Sequence, residues 1–350
     1  MVKRVYFYKN KIIFYIFKVL DFILYFTKKK GCLPKDINKI LLIKPDHLGD
    51  VLLFTSVLGP IKEKYHNAQV DIIAGSWSDV ILQNNPNINK IYKVDHYKLN
   101  RGKKSKISKI WIFMTAYFKT LREIRRERYD VVLNFRSDGN NLITLQLLAA
   151  AKFNAGFAAS GLSSLLDAEI EFKPNIHEIE HFCNLLEVIN VHKKQNEIFP
   201  FVFTDDKDKA YVKGIISNFN LHDFIIIHPG SGKSDALMSV DFWKSIIKKH
   251  QNRQIIFCGT LDEKNLIEDL LELNNTINLL GIFNIPQLIE FYSKSDKIYT
   301  VESISAHLAS MTNVATVSFY RTNSDVFRWA PIGKNVEVIK EYKNFLEEAQ

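Results

Sequence analysis

Residues 40–62 read ILLIKPDHLGDVLLFTSVLGPIK, and the order of residue types in that stretch decides the fold class. A short apolar run, Ile40–Ile43, has the length and composition of a strand. A turn carrying Pro45 and Gly49 follows, and the apolar residues then continue as a helix, read over Asp50–Tyr65. Strand, glycine-bearing turn and helix together make the first half of a parallel βαβ unit. Working outward, the same alternation continues. Ile40–Lys44, Val70–Ala74, Ile91–Val94 and Val131–Phe135 read as strands of a first sheet, with helices at Ser78–Asn84 and Ser108–Arg128. A second series is expected at Phe224–His228, Gln254–Cys258, Thr276–Leu279, Lys297–Thr300 and Ala315–Phe319. Its helices are expected at Val240–His250, Asp262–Leu273, Ile285–Ser293 and Ser305–Met311, with a last helix over Val338–Glu348. The fold class is therefore α/β, with two Rossmann-like domains facing across a cleft.

The bulk composition agrees. A chain of 350 residues with 47% hydrophobic and 24% charged residues is globular and long enough for two cores. The expected divisions are an N-terminal segment 1–37, a first domain 38–195, a second domain 196–335 and a C-terminal helix 336–350. Residues 1–130 hold 26 Lys/Arg against 11 Asp/Glu, so the net charge of +9 sits at the front. That asymmetry points to an anionic partner there: nucleic acid, an acidic membrane surface or a phosphorylated substrate. No nucleic-acid-binding module accompanies the charge, so nucleic acid is not expected. Three cysteines without CxxC spacing indicate neither a zinc site nor a disulfide framework, which fits a reducing cytoplasm.

Residues 12–26, IIFYIFKVLDFILYF, are almost wholly apolar between lysine-rich flanks. As a helix they reach about 22 Å, short of a hydrocarbon core of roughly 30 Å. Lys18 and Asp21 interrupt the run and no small-residue cleavage site follows, against a signal peptide. The expectation is a helix lying in the membrane interface, peripherally held at the inner face of the cytoplasmic membrane. Packing on the protein's own first domain is the alternative.

Three strand ends carry candidate chemistry. Asp50 stands where a helix begins after the first strand, placed to take a proton from an acceptor hydroxyl. A capping role is the competing explanation. After the strand ending at His228, the run HPGSGKSD offers Gly230 and Gly232 for close backbone approach, the Ser231 hydroxyl, and Lys233 as a cation for a diphosphate. A plain glycine-rich turn explains it equally well. The run is neither GxGxxG nor GxxxxGK[ST], which argues against a dinucleotide dehydrogenase and a P-loop nucleotidase. After Thr300 come Glu302, Ser303 and Ser305 at a helix start, with His307 one turn in. Their hydroxyls and N–H groups are placed to receive a leaving diphosphate, although a lone histidine there is more often structural. Arg136, after a strand end, is a candidate contact for acceptor phosphates.

In this order and spacing the pieces ILLIKPDHLGDVLLFTSVLGPIK, NPNINKIYKVD, HEIEHFCNLLEVI, HPGSG, SISAHLAS and RWAPIG resemble the heptosyltransferase family of bacterial glycosyltransferases, the ninth family, with the GT-B fold. The likeness runs over roughly residues 37–338. It implies a catalytic aspartate at Asp50, a family lysine at Lys44, and donor contacts at Gly230, Ser231, Gly232, Glu263, Glu302, Ser303 and His307. It also implies an inverting transfer without a bound metal or other cofactor. The donor would be a nucleotide-diphosphate sugar, ADP-heptose or similar, and the acceptor a lipopolysaccharide core or another surface glycan or glycolipid. Two departures stand out: Glu302-Ser303-Ile304 where the family has Asp-Ser/Thr-Gly, and Ala236-Leu237-Met238 where it has a Lys-x-Trp element. They give weight to a second class of function, a catalytically weak membrane-attached glycan-binding or scaffold protein that keeps the fold.

Overall fold

In the computed structural model, which describes residues 2–137, 142–159, 161–321 and 324–340, the quoted stretch is strand β1 (Lys39–Ile43) followed by helix α2 (Leu48–Phe54). Helix α1 (Lys11–Thr27) precedes them. The rest of the first unit, Met1–Phe201, contains α3 (Leu58–Lys64), β2 (Gln69–Ala74), α4 (Asp79–Leu82), β3 (Lys90–Lys93), α5 (Lys106–Glu127), β4 (Val131–Asn134), α6 (Ile143–Leu148), β5 (Phe153–Phe157), β6 (Ala168–Ile170) and α7 (Glu178–Leu186). The second unit, Val202–Gln350, contains α8 (Asp206–Asn218), β7 (Phe224–His228), α9 (Val240–Lys249), β8 (Gln254–Phe257), β9 (Thr276–Asn278), α10 (Ile285–Tyr292), β10 (Lys297–Val301), α11 (Ile304–Ser310), β11 (Ala315–Phe319), α12 (Val326–Trp329) and β12 (Val336–Ile339).

Each unit is built on one parallel sheet. The first runs β3-β2-β1-β4-β5-β6 and the second β12-β11-β10-β7-β8-β9. Read from its other edge, the second has the same order as the first: the chain starts in the middle, winds to one edge, then returns to wind to the other. That is Rossmann topology, and it leaves a switch point beside the first strand of each sheet, at β1/β4 and at β7/β10. The central strands β1 and β7 are largely apolar, as strands covered by helices on both faces are; Leu41, Leu42 and Ile43 of β1, and Ile226 and Ile227 of β7, have no exposed surface. Separate cores result, one around Leu41, Ile73, Tyr129 and Leu145, the other around Ile227, Trp243, Phe257 and Phe319.

Three expectations about elements change. The helix foreseen as continuous over residues 50–65 is split by a 3-10 turn, Thr55–Val57, because Pro60 has no N–H to give the carbonyl of residue 56. The helix expected at Asp262–Leu273 is two 3-10 turns, Leu261–Leu266 and Glu268–Leu270. They break at Ile267, whose backbone (φ −123°, ψ −2°) leaves the helical region as its side chain enters the core. The C-terminal helix expected over 336–350 begins instead as β12, which pairs with β11 from Thr316↔Val336 to Phe319↔Ile339. The alternation in Val336-Glu337-Val338-Ile339 favours an edge strand. Residues 341–350 lie outside the described residues.

The first 37 residues, expected as a segment of their own, are tied to the first unit by polar contacts. Val5 bridges Ala159, and its N–H donates to the Ala158 carbonyl at 2.9 Å. Arg4 grips Glu169 with two bonds, of 2.7 and 2.8 Å. Within α1 the one fully buried side chain is Asp21, which accepts from Tyr6 Oη (3.0 Å) and from the hydroxyl (2.6 Å) and backbone N–H (3.2 Å) of Ser164. Phe17 lies against Gly161, where φ is +84° and a Cβ would stand 2.4 Å from the ring. Helix α1 thus faces the protein with its acid and turns Ile12, Tyr15, Ile16, Phe22 and Phe26 outward. Among the described residues no helix is long and apolar enough to cross a membrane.

Candidate active site

The β1/β4 switch point is occupied by a buried network of charges. Lys44, the residue after β1, has its ammonium 3.0 Å from the Phe135 carbonyl, 3.1 Å from Asp46 Oδ2, 3.5 Å from Glu178 Oε1 and 4.9 Å from the centre of the Phe182 ring. The Arg136 guanidinium, which lies just past β4, pairs with the other oxygen of Asp46. His181 Nδ1 stands 3.4 Å from Glu178 Oε2, while its Nε2–H donates to the Lys173 carbonyl at 2.8 Å. Two cations thus face two carboxylates, and none of the four side chains is more than 10% exposed. Pairing of this kind is what allows ions to stay charged inside a protein, and removing one partner typically costs about 3–5 kcal/mol.

The network clamps the turn 44–47, and the Trp77 indole adds a third hold by donating to the Asp46 carbonyl at 2.7 Å. Gly75 makes room for that indole: a Cβ there would meet the ring at 2.3 Å. Helix α2 then starts with its backbone direction set, and Asp50 stands in its first turn, partly exposed where Lys44 and Asp46 are enclosed. Beside it, a Cβ added at Gly49 would meet nothing within 4 Å, so the space on that side of Gly49 is open. Lys44 and Arg136, candidates for catalysis and for acceptor phosphates respectively, both lie inside the network that holds the turn.

The second unit arranges its candidates around β7/β10 in the same way. His228 ends β7 and Gly230–Lys233 turn away from it; Glu302 and Ser303 come after β10, and Arg321 after β11. Glu302 ties these segments together. Its backbone carbonyl accepts from Ser231 Oγ at 2.8 Å, and its carboxylate takes Lys233 Nζ at 2.9 Å, Arg321 Nε at 3.2 Å and the Ser324 hydroxyl. Partial burial pushes the Glu302 carboxyl upward, but Arg321, Ser324 and Lys233 together outweigh it and hold it down to about 2. Arg321 also pairs with Asp235. Ser303 caps α11, its hydroxyl 2.6 Å from that of Ser305, and His307 is buried one turn further on.

Glu263 closes the other side. Its carboxylate accepts from the Thr260 N–H at 3.0 Å and lies against two glycines. A Cβ at Gly230 would sit 2.0 Å from the carboxyl carbon, and one at Gly259, where φ is +151°, would sit 2.1 Å from Oε2. Burial raises the Glu263 carboxyl, against the Thr260 hydrogen bond. Burial also pushes His228 down to about 4 and Tyr292 well above its usual range. The His228 imidazole and the Tyr292 phenol share a hydrogen bond of 2.6 Å through Nδ1, and Nε2 stands 4.0 Å from Glu263 Oε2.

Asp46, Glu178, His181, Gly259, Arg321 and Ser324 were not among the candidates from sequence. Asp46 and Glu178 lie within the quoted KPDHLGD and HEIEHFC segments, yet only the folded sheet brings residues 46, 136 and 178 together. Arg321 stands two residues past the end of β11, as Gly230 does past β7, so its position at a strand end was the signal that could have found it. Among the described residues no group of three or more His, Cys, Asp and Glu side chains is placed to hold a metal.

The model of glycosyltransferase family 9 (heptosyltransferase) matches residues 117–348, about two thirds of the chain. The chain belongs to that family. It is a glycosyltransferase of GT-B fold, built from the two Rossmann-like units described above. Its relatives include the lipopolysaccharide core heptosyltransferase OpsX of Haemophilus influenzae, 24% identical across 87% of this chain and 85% of that one. Lipopolysaccharide heptosyltransferase 3 of Escherichia coli K12 is 20% identical across 82% and 83%. Among solved structures, a family 9 glycosyl transferase from Veillonella parvula superposes with a TM-score of 0.76 at 16% identity, covering 90% of this chain and 89% of that one. The Escherichia coli heptosyltransferase WaaC with ADP superposes at 0.67 and 14% identity, over 89% and 100%. At these identities the superpositions speak for the fold.

Proposed function

We propose that this family 9 enzyme moves a heptose, or a closely related sugar, from a nucleotide diphosphate donor such as ADP-heptose to a lipopolysaccharide core or similar glycan. The transfer is one inverting displacement that needs no metal. The names of the relatives support the substrate classes, and the observation that carries the mechanism is the partly exposed Asp50, held in the first turn of α2 behind a clamped turn.

Asp50 accepts the proton of an acceptor hydroxyl as that oxygen bonds to the anomeric carbon. The bond from that carbon to the diphosphate oxygen breaks on the opposite face, its electron pair leaving with the nucleotide, so the configuration inverts. The transition state has oxocarbenium character, which an anionic Asp50 also stabilises. On the second unit, the Gly230–Gly232 turn presents its backbone to the diphosphate. Lys233 can join it cheaply: its side chain is 59% exposed, and an exposed pair such as Lys233–Glu302 is worth about 0–1 kcal/mol, so exchanging Glu302 for a phosphate costs little. Arg321 and Ser324 then keep Glu302 in place. Glu263 and neutral His228 face the donor sugar as hydrogen-bonding groups, and Ser303 and His307 belong to the same donor site. Lys44 acts through position, holding the turn before Asp50.

The glycan acceptor is a lipid-linked molecule in this reading, and α1 brings the enzyme to it at the cytoplasmic membrane face. A helix that buries its aspartate and exposes its isoleucines and phenylalanines is oriented for an apolar neighbour outside the protein. The direct test of the reaction is proton NMR of the product after turnover with ADP-heptose and lipopolysaccharide core, in the presence of EDTA. We expect an anomeric configuration opposite to the donor's at an undiminished rate; retained configuration, or activity abolished by the chelator, contradicts the mechanism.

A further inference from the structure

Helix α1 is not alone in facing outward with apolar side chains. Along α5 the residues Phe113, Tyr117, Leu121 and Ile124 pack toward the sheet, as an amphipathic helix should. Its other side carries a second apolar stripe in the first half: Ile107 is 82% exposed, Trp111 72% and Phe118 59%, with Ile110 and Met114 between them. Ile107, Trp111, Met114 and Phe118 succeed one another at i, i+4, i+7 and i+11, so they share one face. Exposed apolar groups scattered singly are ordinary, but a contiguous patch of this kind marks an interaction surface. The patch is continuous with α1: an apolar hollow of about 540 Å³ is lined by Tyr8 and Phe17 on one side and Phe113, Met114 and Phe118 of α5 on the other.

The charge around the patch says what covers it. From Tyr97 to Arg122 the chain has eight Lys/Arg and no Asp or Glu. Arg101, Lys103, Lys104, Lys106 and Lys119 are exposed beside the stripe, as are Lys9, Lys11 and Lys18 around α1. Aromatic and aliphatic side chains rimmed by lysines suit the headgroup layer of a bilayer with anionic lipids, where each basic residue contributes about 1 kcal/mol, or roughly fivefold in affinity. We propose that the outer face of α5 is a second membrane-docking element which, with α1, forms one two-helix surface that seats the first unit on an anionic bilayer, Trp111 entering the headgroup region. The proposal rests on the membrane reading of α1 and adds an independent contact, fixing which face of the unit meets the lipid.

The full chain is mixed with vesicles of phosphatidylglycerol and phosphatidylethanolamine whose acyl chains are plain or brominated. Trp111 is followed as the difference in emission between the wild type and Trp111→Phe. The expected result is a blue shift and quenching of that component by brominated lipid, lost at high salt. In co-sedimentation, Ile107→Ser/Phe118→Ser should weaken binding at least about tenfold, and Ile16→Ser/Phe22→Ser on α1 should do so separately. All four positions are at the surface, and thermal melts check that the variants fold. Vesicle binding that depends on the α1 pair with Trp111 neither shifted nor quenched overturns the α5 surface and leaves α1 standing. No vesicle binding by the wild type overturns both. Equal binding to phosphatidylcholine alone, or a stable dimer in solution that shields Trp111, also overturns the proposal.

Discussion

Glu302 stands where its family usually has aspartate, and the structure shows what the longer side chain reaches. It spans from the glycine-rich turn, through Lys233, to the segment after β11, through Arg321 and Ser324. Because its folded carboxyl is held at about 2 rather than the ordinary 4.5, the stabilisation it supplies is complete above pH 4.5 and is lost as the pH falls toward 2. Urea unfolding at pH 7 should therefore find Glu302→Gln less stable than the wild type. The gap between the two should narrow steadily below pH 4.5; a gap that stays constant to pH 2.5 contradicts this role. The candidates that sequence offered stand at strand ends and have an evident chemical type: Asp50, the Gly230–Lys233 turn, Glu302, Ser303 and His307. Sequence could not show that Lys44 and Arg136 pair with Asp46 and Glu178, because these residues come from separate segments that meet only when β1, β4 and α7 pack together.

At the scale of elements, periodicity located most strands to within a residue or so, and what it missed has specific causes. Strand β5, Phe-Asn-Ala-Gly-Phe, contains no β-branched residue and is a strand because its neighbours leave an unpaired edge at β4. Strand β6 is three residues long, too short for a pattern. Helix α1 was legible as a helix, but which way it faces was not: apolar content alone does not reveal that Ser164 and Tyr6 draw Asp21 inward. Asp21→Ala removes the acceptor for both hydroxyls in a buried site and should cost about 1–3 kcal/mol in α1 docking, whereas Asp21→Asn, which keeps an acceptor, should cost less. Hydrogen exchange on the α1 amides reads this directly. Unchanged protection in the alanine variant would mean that α1 is held by its apolar contacts alone.

For the whole molecule, two units of identical strand order place their candidate groups by the same rule, at the strand ends beside the switch point. The first has a carboxylate there and the second a glycine-rich turn with cations, and the proposed mechanism assigns the acceptor to the one and the donor to the other. The α/β class was legible because strand-turn-helix punctuation recurs through the chain, and the family because its motifs stand in order along it. The exposed apolar stripe of α5 was not, since periodicity marks the face that packs on the sheet and does not show which other side chains the fold leaves exposed. In the proposed mechanism catalysis turns on Asp50, and the most direct measurement is turnover by Asp50→Asn with ADP-heptose and a lipopolysaccharide core acceptor, alongside donor binding by calorimetry. We predict that kcat falls by about 10² or more while donor Kd moves less than about threefold; turnover that survives while donor binding collapses would contradict the role given to this aspartate.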